Sequence, residues 1–409
     1  MQSRVIMVSK IVLGYSGGLD TTTAIPWLKE RYGYDVITLT VDVGQQEDFE
    51  AIAKRSEHMG AISHHQIDAK EEFANFYIAD AIKANGLYEG SYPLSTALAR
   101  PLLASKLVMV AEKEGANAVA HGCTGKGNDQ VRFDLMIQAL NPSLKIVAPV
   151  REWSLSRDEE VEYLKSKGFD APTKHSYFSV DQNLWGRSVE GGSLEEPTQE
   201  PPREALEWTA APEDWPTDPI YVTVGFEKGV PVAIDGRRKR LSELVGHLNT
   251  IAGSCGVGLI DHMEDRTVGI KSREVYECPA ATVLIEAHRQ LEKLVLTRLQ
   301  ATFKPMAEQQ WAWLIYSGLC IDPLFDDLRS FIDSTQEFVT GEVRVRLYKG
   351  TCRVVGRSSP YALYSKQLST YGIDSTFDQK AAEGFIKLWG LTSLMAARRN
   401  LSKAKEVLV

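Results

Sequence analysis

The sequence predicts an α/β fold, in which a parallel doubly wound sheet is followed by an α+β domain and a C-terminal helix. Apolar, β-rich runs alternate with helix-permissive stretches over the first 170 residues, which is typical of a parallel sheet covered on both faces. Hairpin patterns follow residue 219, and an amphipathic stretch covers the last thirty residues. Because ligands bind beyond the carboxyl ends of parallel strands, we expect a site at that edge of the sheet.

Five apolar segments predict the strands of the parallel sheet, and helical patterns lie between them. We expect the strands at residues 5–13, 36–41, 61–67, 117–120 and 145–148. The helices between them include residues 21–31, 47–59 and 99–114. This alternation predicts a first domain over residues 1–172.

Two Lys-Gly turns predict hairpins in the second half of the chain. The expected strand pairs are residues 221–224 with 230–234 and residues 343–347 with 352–355. Helical patterns cover residues 241–252 and 282–303. A second, α+β domain is therefore predicted over residues 173–377.

Two further segments have a distinct composition. Residues 193–219 contain six prolines and many acidic residues, so we expect a mobile linker to which we assign no chemistry. Residues 378–409 are predicted to hold one amphipathic helix, from Gln379 to about Leu408. Its apolar side has little core left to cover, so we expect it to pack on a neighbouring subunit.

Composition excludes several classes of protein. A net charge of -8 argues against a general nucleic-acid or anionic-membrane surface, and no apolar run approaches the roughly eighteen residues of a membrane span. The five cysteines are far apart and form no C-x-x-C pair, which indicates a reducing cytoplasm. The eight histidines show no spacing for a transition metal, so no metal ligand is assigned.

The sharpest motif lies between the first strand and the first helix. Two adjacent glycines let the backbone curl around an anion, and the helix that follows points its N–H groups and positive dipole end at it. The motif lacks the lysine of a Walker A loop and the spacing of a dinucleotide loop. It predicts a phosphate site formed by Gly14, Tyr15, Ser16, Gly17, Gly18, Leu19, Asp20, Thr21 and Thr22.

A second motif, H-G-C-T-G-K-G-N-D-Q-V-R-F over residues 121–133, follows the strand that ends at Ala120. It therefore lies on the same edge of the sheet as the phosphate loop. Its glycines allow close approach of a nucleotide. Its polar side chains include donors and acceptors suited to a zwitterionic amino acid.

The string S-G-G-L-D-T resembles the mark of the N-type ATP pyrophosphatases, which cleave ATP between the α and β phosphates. The Gly-rich string resembles the argininosuccinate synthase family within that group, and further matches extend along nearly the whole chain. The resemblance implies a ligase that condenses citrulline with aspartate through a citrullyl-adenylate and releases AMP and pyrophosphate. It also implies ATP with Mg²⁺ and a homotetramer with a nucleotide-binding first domain and a synthetase second domain.

The resemblance carries the family's site residues onto matching positions. For ATP it adds Val41 and Gly122 to the phosphate loop. For aspartate it implies Thr124, Asn128 and Asp129. For citrulline it implies Tyr92, Ala97, Asn128, Arg132, Ser179, Ser188, Glu264 and Tyr276, with Ala97 standing where the family usually has serine. Asp20 and Arg132 are expected to act by positioning, without a covalent nucleophile.

Two alternatives stay open from the sequence. One is another N-type pyrophosphatase, such as a different synthetase or a tRNA-modifying adenylase. The other is a nucleotide-binding regulator with the same sheet and no turnover. No side chain is identified as the base for the aspartate amine. Pyrophosphate release with each amino acid omitted in turn would separate these hypotheses.

Overall fold

A five-stranded parallel sheet occupies the centre of the N-terminal part, which confirms the predicted fold class. The strand order is β3-β2-β1-β4-β5 and therefore reverses between β1 and β4. The loops that follow these two strands flank the crevice in which such sheets bind ligands. The strands are β1 (Lys10–Gly14), β2 (Asp35–Asp42), β3 (Ser63–Asp68), β4 (Ala118–Ala120) and β5 (Lys145–Val147).

The computed structural model describes residues 9–153, 155–172 and 177–407. Residues 5–8 of the predicted first strand, the predicted domain boundary at residue 173 and the last two residues of the predicted C-terminal helix lie outside these ranges. The chain forms two units, residues 1–361 and 362–409. Within the described residues, no helix is long and apolar enough to cross a membrane.

Helices cover both faces of the parallel sheet. Ile11 and Leu13 of β1 pack into one apolar cluster while Val12 packs into another, so the strand is buried on both sides. The helices are α1 (Leu19–Tyr32), α2 (Phe49–His58), α3 (Lys70–Phe73), α4 (Ala79–Lys83), α5 (Ser95–Glu114), α6 (Asp129–Leu140), α7 (Pro149–Trp153) and α8 (Arg157–Ser166). A π-helical turn, Ala74–Ile78, joins α3 to α4.

Two antiparallel sheets follow, with strand orders β10-β9-β8-β13-β14 and β11-β12-β7-β6. Both predicted hairpins are confirmed, as β8 with β9 and β13 with β14. The strands are β6 (Ser179–Asn183), β7 (Gly186–Glu190), β8 (Ile220–Glu227), β9 (Val230–Ile234), β10 (Arg237–Arg238), β11 (Leu259–Asp265), β12 (Lys271–Glu277), β13 (Gly341–Tyr348) and β14 (Thr351–Ser358).

One long helix was expected over residues 282–303, and this prediction is wrong. The chain forms two helices there, because Thr297 caps a new helix by accepting from the N–H of Gln300 while the Gln300 side chain accepts from the Thr297 N–H. The helices of this part are α9 (Leu241–Ser254), α10 (Pro279–Val295), α11 (Arg298–Tyr316) and α12 (Pro323–Thr335).

The Pro-rich segment 193–219 is not the mobile linker that its composition predicted. Leu194, Ala205 and Thr209 are buried. The buried carboxylate of Glu277 accepts hydrogen bonds from the backbone N–H groups of residues 207–209. Short 3₁₀ turns at Gly192–Glu195, Arg203–Ala205 and Pro212–Asp214 give the segment local structure. Packing against one buried acid therefore fixes a segment that looks disordered by composition.

The C-terminal unit contains α13 (Lys366–Ser369), α14 (Gln379–Trp389) and α15 (Leu391–Val407). The single predicted helix is wrong in this respect, because the chain breaks at Gly390, a residue type that is unfavourable within helices. Asp378 caps α14 by accepting from the N–H groups of Lys380 and Ala381. Several large apolar side chains of the two helices are exposed in this single chain, among them Phe385, Leu388, Trp389, Leu391 and Leu394.

Candidate active site

The predicted phosphate loop lies between β1 and α1. Gly18 is the N-cap of α1 and brings no side-chain cap, so the helix presents backbone N–H groups and its positive dipole end. Ser16 Oγ accepts from the Gly18 N–H at 3.3 Å and lies 3.1 Å from Thr21 Oγ1. Gly14 ends β1, the loop follows it, and the first turn of α1 contains Leu19, Asp20, Thr21 and Thr22.

Gly17 has little room for a side chain. Its φ of +74° lies in the left-handed region, and a Cβ atom there would come within 2.9 Å of Ile52 Cγ1. Arg55 of α2 donates from Nη1 to the Gly17 carbonyl oxygen at 2.5 Å. Arg55 is thus a cation beside the loop that the sequence motif did not identify.

The loops after β1 and β4 meet at the point where the strand order reverses. A Cβ atom on Gly122 would lie 2.7 Å from the Cγ2 atom of Thr21, so only glycine allows this approach. Val41 is buried near the carboxyl end of β2, the neighbouring strand. The structure therefore brings the residues predicted for ATP to one edge of the sheet.

Asp20 faces α8 through a hydrogen bond to Glu160 and lies near Arg157. Burial raises the pKa of Asp20, and burial together with the Asp20 charge raises the pKa of Glu160 to about 8. Glu160 is therefore the protonated partner of this pair at neutral pH. In the ranges that the structure describes, no three His, Cys, Asp or Glu side chains are grouped so as to hold a metal ion.

The Gly-rich motif leads into α6, where Asp129 and Arg132 pair. Arg132 Nη1 donates to Asp129 Oδ1 at 2.7 Å, and Arg100 Nη2 lies 2.8 Å from Asp129 Oδ2. Burial opposes the charge on Asp129, but the two arginines outweigh it and lower its pKa. Arg100 also donates to Asp181. Thr124, another of the residues expected at aspartate, is exposed on the preceding loop.

Three residues predicted for citrulline form one buried group. Tyr276 donates from its hydroxyl to Glu264 Oε2 at 2.6 Å. The rings of Tyr92 and Tyr276 stack with centroids 3.9 Å apart. Burial raises the pKa of Tyr276. Each of these three side chains is thereby held in place by another member of the group.

Tyr316, at the end of α11, joins this group to the Gly-rich motif. Its hydroxyl donates to Glu264 Oε1 at 2.8 Å and accepts from Asn128 Nδ2 at 2.9 Å. Its carbonyl oxygen accepts from Arg132 Nε at 2.9 Å, and the guanidinium carbon lies 5.0 Å from its ring centroid. Sequence reasoning missed Tyr316, since no motif surrounds it and Asn128 is 188 residues away.

The remaining predicted citrulline residues are placed differently from one another. Ser188 of β7 pairs with Tyr276 of β12, and its Oγ lies 3.4 Å from Thr96 Oγ1. Ala97 is fully buried and has no hydroxyl, and the hydroxyls on this helix turn belong to Ser95 and Thr96. Ser179 stands at the exposed start of β6, opposite Glu190.

Comparison with known proteins covers both parts of the chain. The family model for the arginosuccinate synthase N-terminal HUP domain matches residues 10–170, and the model for the arginosuccinate synthase C-terminal domain matches residues 178–396. An argininosuccinate synthase from Pyrococcus furiosus is 54% identical over 98% of this chain and 99% of its own length. An argininosuccinate synthase from Pyrobaculum aerophilum is 54% identical over 96% of this chain and 99% of its own length. One from Oceanobacillus iheyensis is 55% identical over 97% of this chain and 95% of its own length.

Proposed function

The chain belongs to the argininosuccinate synthase family, and we propose that it condenses citrulline with aspartate in an ATP-dependent ligation that releases AMP and pyrophosphate. The observation that carries this proposal is the match of family models to both parts of the chain. Two structural features support it. The two predicted ATP loops meet at the reversal of the strand order, and the buried group of Tyr92, Glu264 and Tyr276 is linked to the Gly-rich motif through Tyr316.

In the proposed reaction, the ureido oxygen of citrulline attacks the α-phosphorus of ATP and pyrophosphate leaves. The N–H groups around Gly17 and Gly18 and the start of α1 hold the phosphates by backbone hydrogen bonds and the helix dipole. The amine of aspartate then displaces AMP from the citrullyl-adenylate. Catalysis consists of positioning and stabilisation of phosphate charge, without a covalent bond to the protein.

The charged residues suit two amino-acid substrates. Asp129, held ionised by Arg100 and Arg132, is an acceptor for the ammonium group of aspartate. Glu264 serves the ammonium group of citrulline, and the forked guanidinium of Arg132 suits a carboxylate. Thr124 adds a hydroxyl on the aspartate side, while Ser179 and Ser188 add hydroxyls on the citrulline side.

We propose that Mg²⁺ enters with ATP, where it would neutralise charge on the phosphate oxygens. Asp20 offers carboxylate oxygens of the kind Mg²⁺ prefers, at the start of the phosphate-loop helix. Its hydrogen bond to Glu160 favours a role in orienting the loop when the cation is absent. Asp20 is therefore a positioning residue in this proposal.

Family membership also supports a proposal for the domain organisation and assembly of the chain. We propose residues 1–172 as the nucleotide-binding domain, 173–377 as the synthetase domain and 378–409 as the oligomerisation segment of a homotetramer. The exposed apolar side chains of α14 and α15 support the last assignment. Five free cysteines support function in the reducing cytoplasm.

An assay of pyrophosphate release tests the proposal. ATP is supplied with citrulline and aspartate together, then with either one omitted. We expect AMP and pyrophosphate in equal amounts only when both amino acids are present. Equal release without amino acids, or release with a different acceptor alone, would contradict the proposed function.

A further inference from the structure

Both polar ends of the Asn128 amide are bound by residues of the second half of the chain. Its Oδ1 atom accepts from the backbone N–H of Thr267 at 2.9 Å and from the Thr267 hydroxyl at 2.8 Å. Its Nδ2 atom donates to the hydroxyl of Tyr316 at 2.9 Å. Asn128 is only 7% exposed, so these contacts rather than solvent determine its orientation.

The direction of each hydrogen bond follows from its neighbours. A backbone N–H can only donate, so the atom of Asn128 that faces Thr267 must be the oxygen. The Tyr316 hydroxyl faces two acceptors, Glu264 Oε1 at 2.8 Å and the Asp265 carbonyl oxygen at 3.2 Å, so its single proton is given to them and it accepts from Asn128. If the amide were flipped, its NH₂ group would face the Thr267 N–H, and two donors would oppose each other. The Asn128 oxygen would then face the Tyr316 hydroxyl oxygen, whose proton is given to another acceptor.

This arrangement leaves one hydrogen-bond donor of Asn128 for a substrate. The two lone pairs of Oδ1 are occupied by the two Thr267 donors, and one of the two N–H groups on Nδ2 is occupied by Tyr316. The second N–H is the group that Asn128 can offer. It suits a carboxylate or carbonyl oxygen and does not suit an ammonium group.

We propose that Thr267 and Tyr316 are positioning residues that hold Asn128 as a hydrogen-bond donor, so that Asn128 binds a substrate carboxylate or carbonyl oxygen while Asp129 and Glu264 receive the ammonium groups. This inference rests on the proposed function, which places citrulline and aspartate at Asn128. It adds that Asn128 donates in this contact, and it assigns a positioning role to Thr267 of the β11–β12 turn and to Tyr316 of α11.

Thr267→Val tests the inference, because valine keeps the shape and the backbone N–H but removes the hydroxyl donor. We expect the KM for citrulline or aspartate, or both, to rise about five- to tenfold, the effect of one hydrogen bond, with KM for ATP unchanged within about twofold. Thr267→Ser should restore the wild-type values. Thr250→Val is the matched control, since the Thr250 hydroxyl donates only within α9.

Tyr316→Phe provides an independent variant. Phenylalanine keeps the ring, whose centroid lies 3.5 Å from that of Tyr88, and keeps the carbonyl that binds Arg132. The same rise in amino-acid KM is expected. Asn128→Asp, which replaces the proposed donor by an acceptor, should lower kcat/KM for the amino acids by more than about a hundredfold, beyond the loss of a neutral bond.

The outcomes separate the inference from the proposed function. A wild-type enzyme that does not require both citrulline and aspartate would contradict the function itself. If the wild type requires both and Thr267→Val leaves both amino-acid KM values unchanged, the positioning role is wrong. It is also wrong if Thr267→Val raises the KM for ATP equally and Thr267→Ser does not restore it, because that pattern indicates a general structural defect.

Discussion

Gly122 and Thr21 lie against each other, with the position of a Gly122 Cβ only 2.7 Å from Thr21 Cγ2. They belong to segments that are about 100 residues apart in sequence but follow the neighbouring strands β1 and β4, Gly122 in a loop and Thr21 in the first turn of α1. The two motifs are brought together by the strand order of a parallel sheet. This contact places the phosphate loop beside the motif proposed to bind the amino acids.

If the loop around Gly17 binds the phosphates of ATP, the substitution Gly17→Ala should impair the use of ATP. The new Cβ would press on Ile52 and hold the loop out of place, so we expect the KM for ATP to rise about five- to thirtyfold, from a cost of roughly 1–2 kcal/mol. Gly33→Ala is the matched control, because Gly33 also has a positive φ but a Cβ there meets no atom within 4 Å. Normal ATP kinetics in a folded Gly17→Ala protein would remove the loop from the ATP site.

Arg132→Lys tests the proposed citrulline contact. One ammonium group cannot reproduce the bonds that Arg132 makes with Tyr316 and Asp129 while also binding a carboxylate. We expect the KM for citrulline to rise about tenfold, or about 1.4 kcal/mol, with a much smaller change for ATP. Arg273→Lys serves as control, since Arg273 forks onto Asp261 elsewhere. Unchanged citrulline dependence would exclude Arg132 from the site.

The raised pKa of Glu160 predicts that the stability of the folded protein depends on pH. This pKa is raised by burial to about 8, whereas an unfolded glutamate titrates near about 4.3. Between these values the unfolded state loses a proton that the folded state keeps, so stability falls as pH rises from about 5 to 8.

Glu160→Gln removes this titration. We expect the Tm of the variant relative to wild type to increase by about 2 °C or more between pH 5 and pH 8, measured by calorimetry. Glu162→Gln on the exposed side of α8 should show no such trend. A constant difference between Glu160→Gln and wild type would contradict the raised pKa.

The exposed apolar side of α14 predicts that this helix packs against another subunit. Replacing both Phe385 and Leu388 by aspartate places charges on side chains that are 57% and 76% exposed in the single chain. Because burying an unpaired charge in an interface is unfavourable, a smaller species is expected by light scattering. Lys380→Asp on the same helix should leave the assembly intact. A full-length protein that is already monomeric would contradict the prediction.

Local sequence patterns were sufficient to predict much of the fold. The continuous apolar segments predicted the strands of the parallel sheet, and the Lys-Gly turns predicted two hairpins. The phosphate loop and the Gly-rich motif could be identified because each concentrates its polar and glycine residues within a short segment. Their position at one edge follows from the topology.

Features that depend on single distant residues could not be predicted in this way. Tyr316 and Thr267 reach Asn128 from elements more than 130 residues away, and neither stands in a recognisable motif. The order in the Pro-rich segment depends on Glu277, whose burial is a tertiary effect. By contrast, the break at Thr297 had a local signal, the capping pair with Gln300, which the long apolar stripe concealed.

The citrullyl-adenylate intermediate is tested most directly by following one oxygen atom. Citrulline labelled with oxygen-18 at the ureido position is incubated with the enzyme, ATP and aspartate, and the products are examined by mass spectrometry. Attack of the ureido oxygen on the α-phosphorus predicts that the label appears in AMP and not in pyrophosphate, with net AMP formation dependent on aspartate. Unlabelled AMP formed from labelled citrulline would contradict the adenylated intermediate.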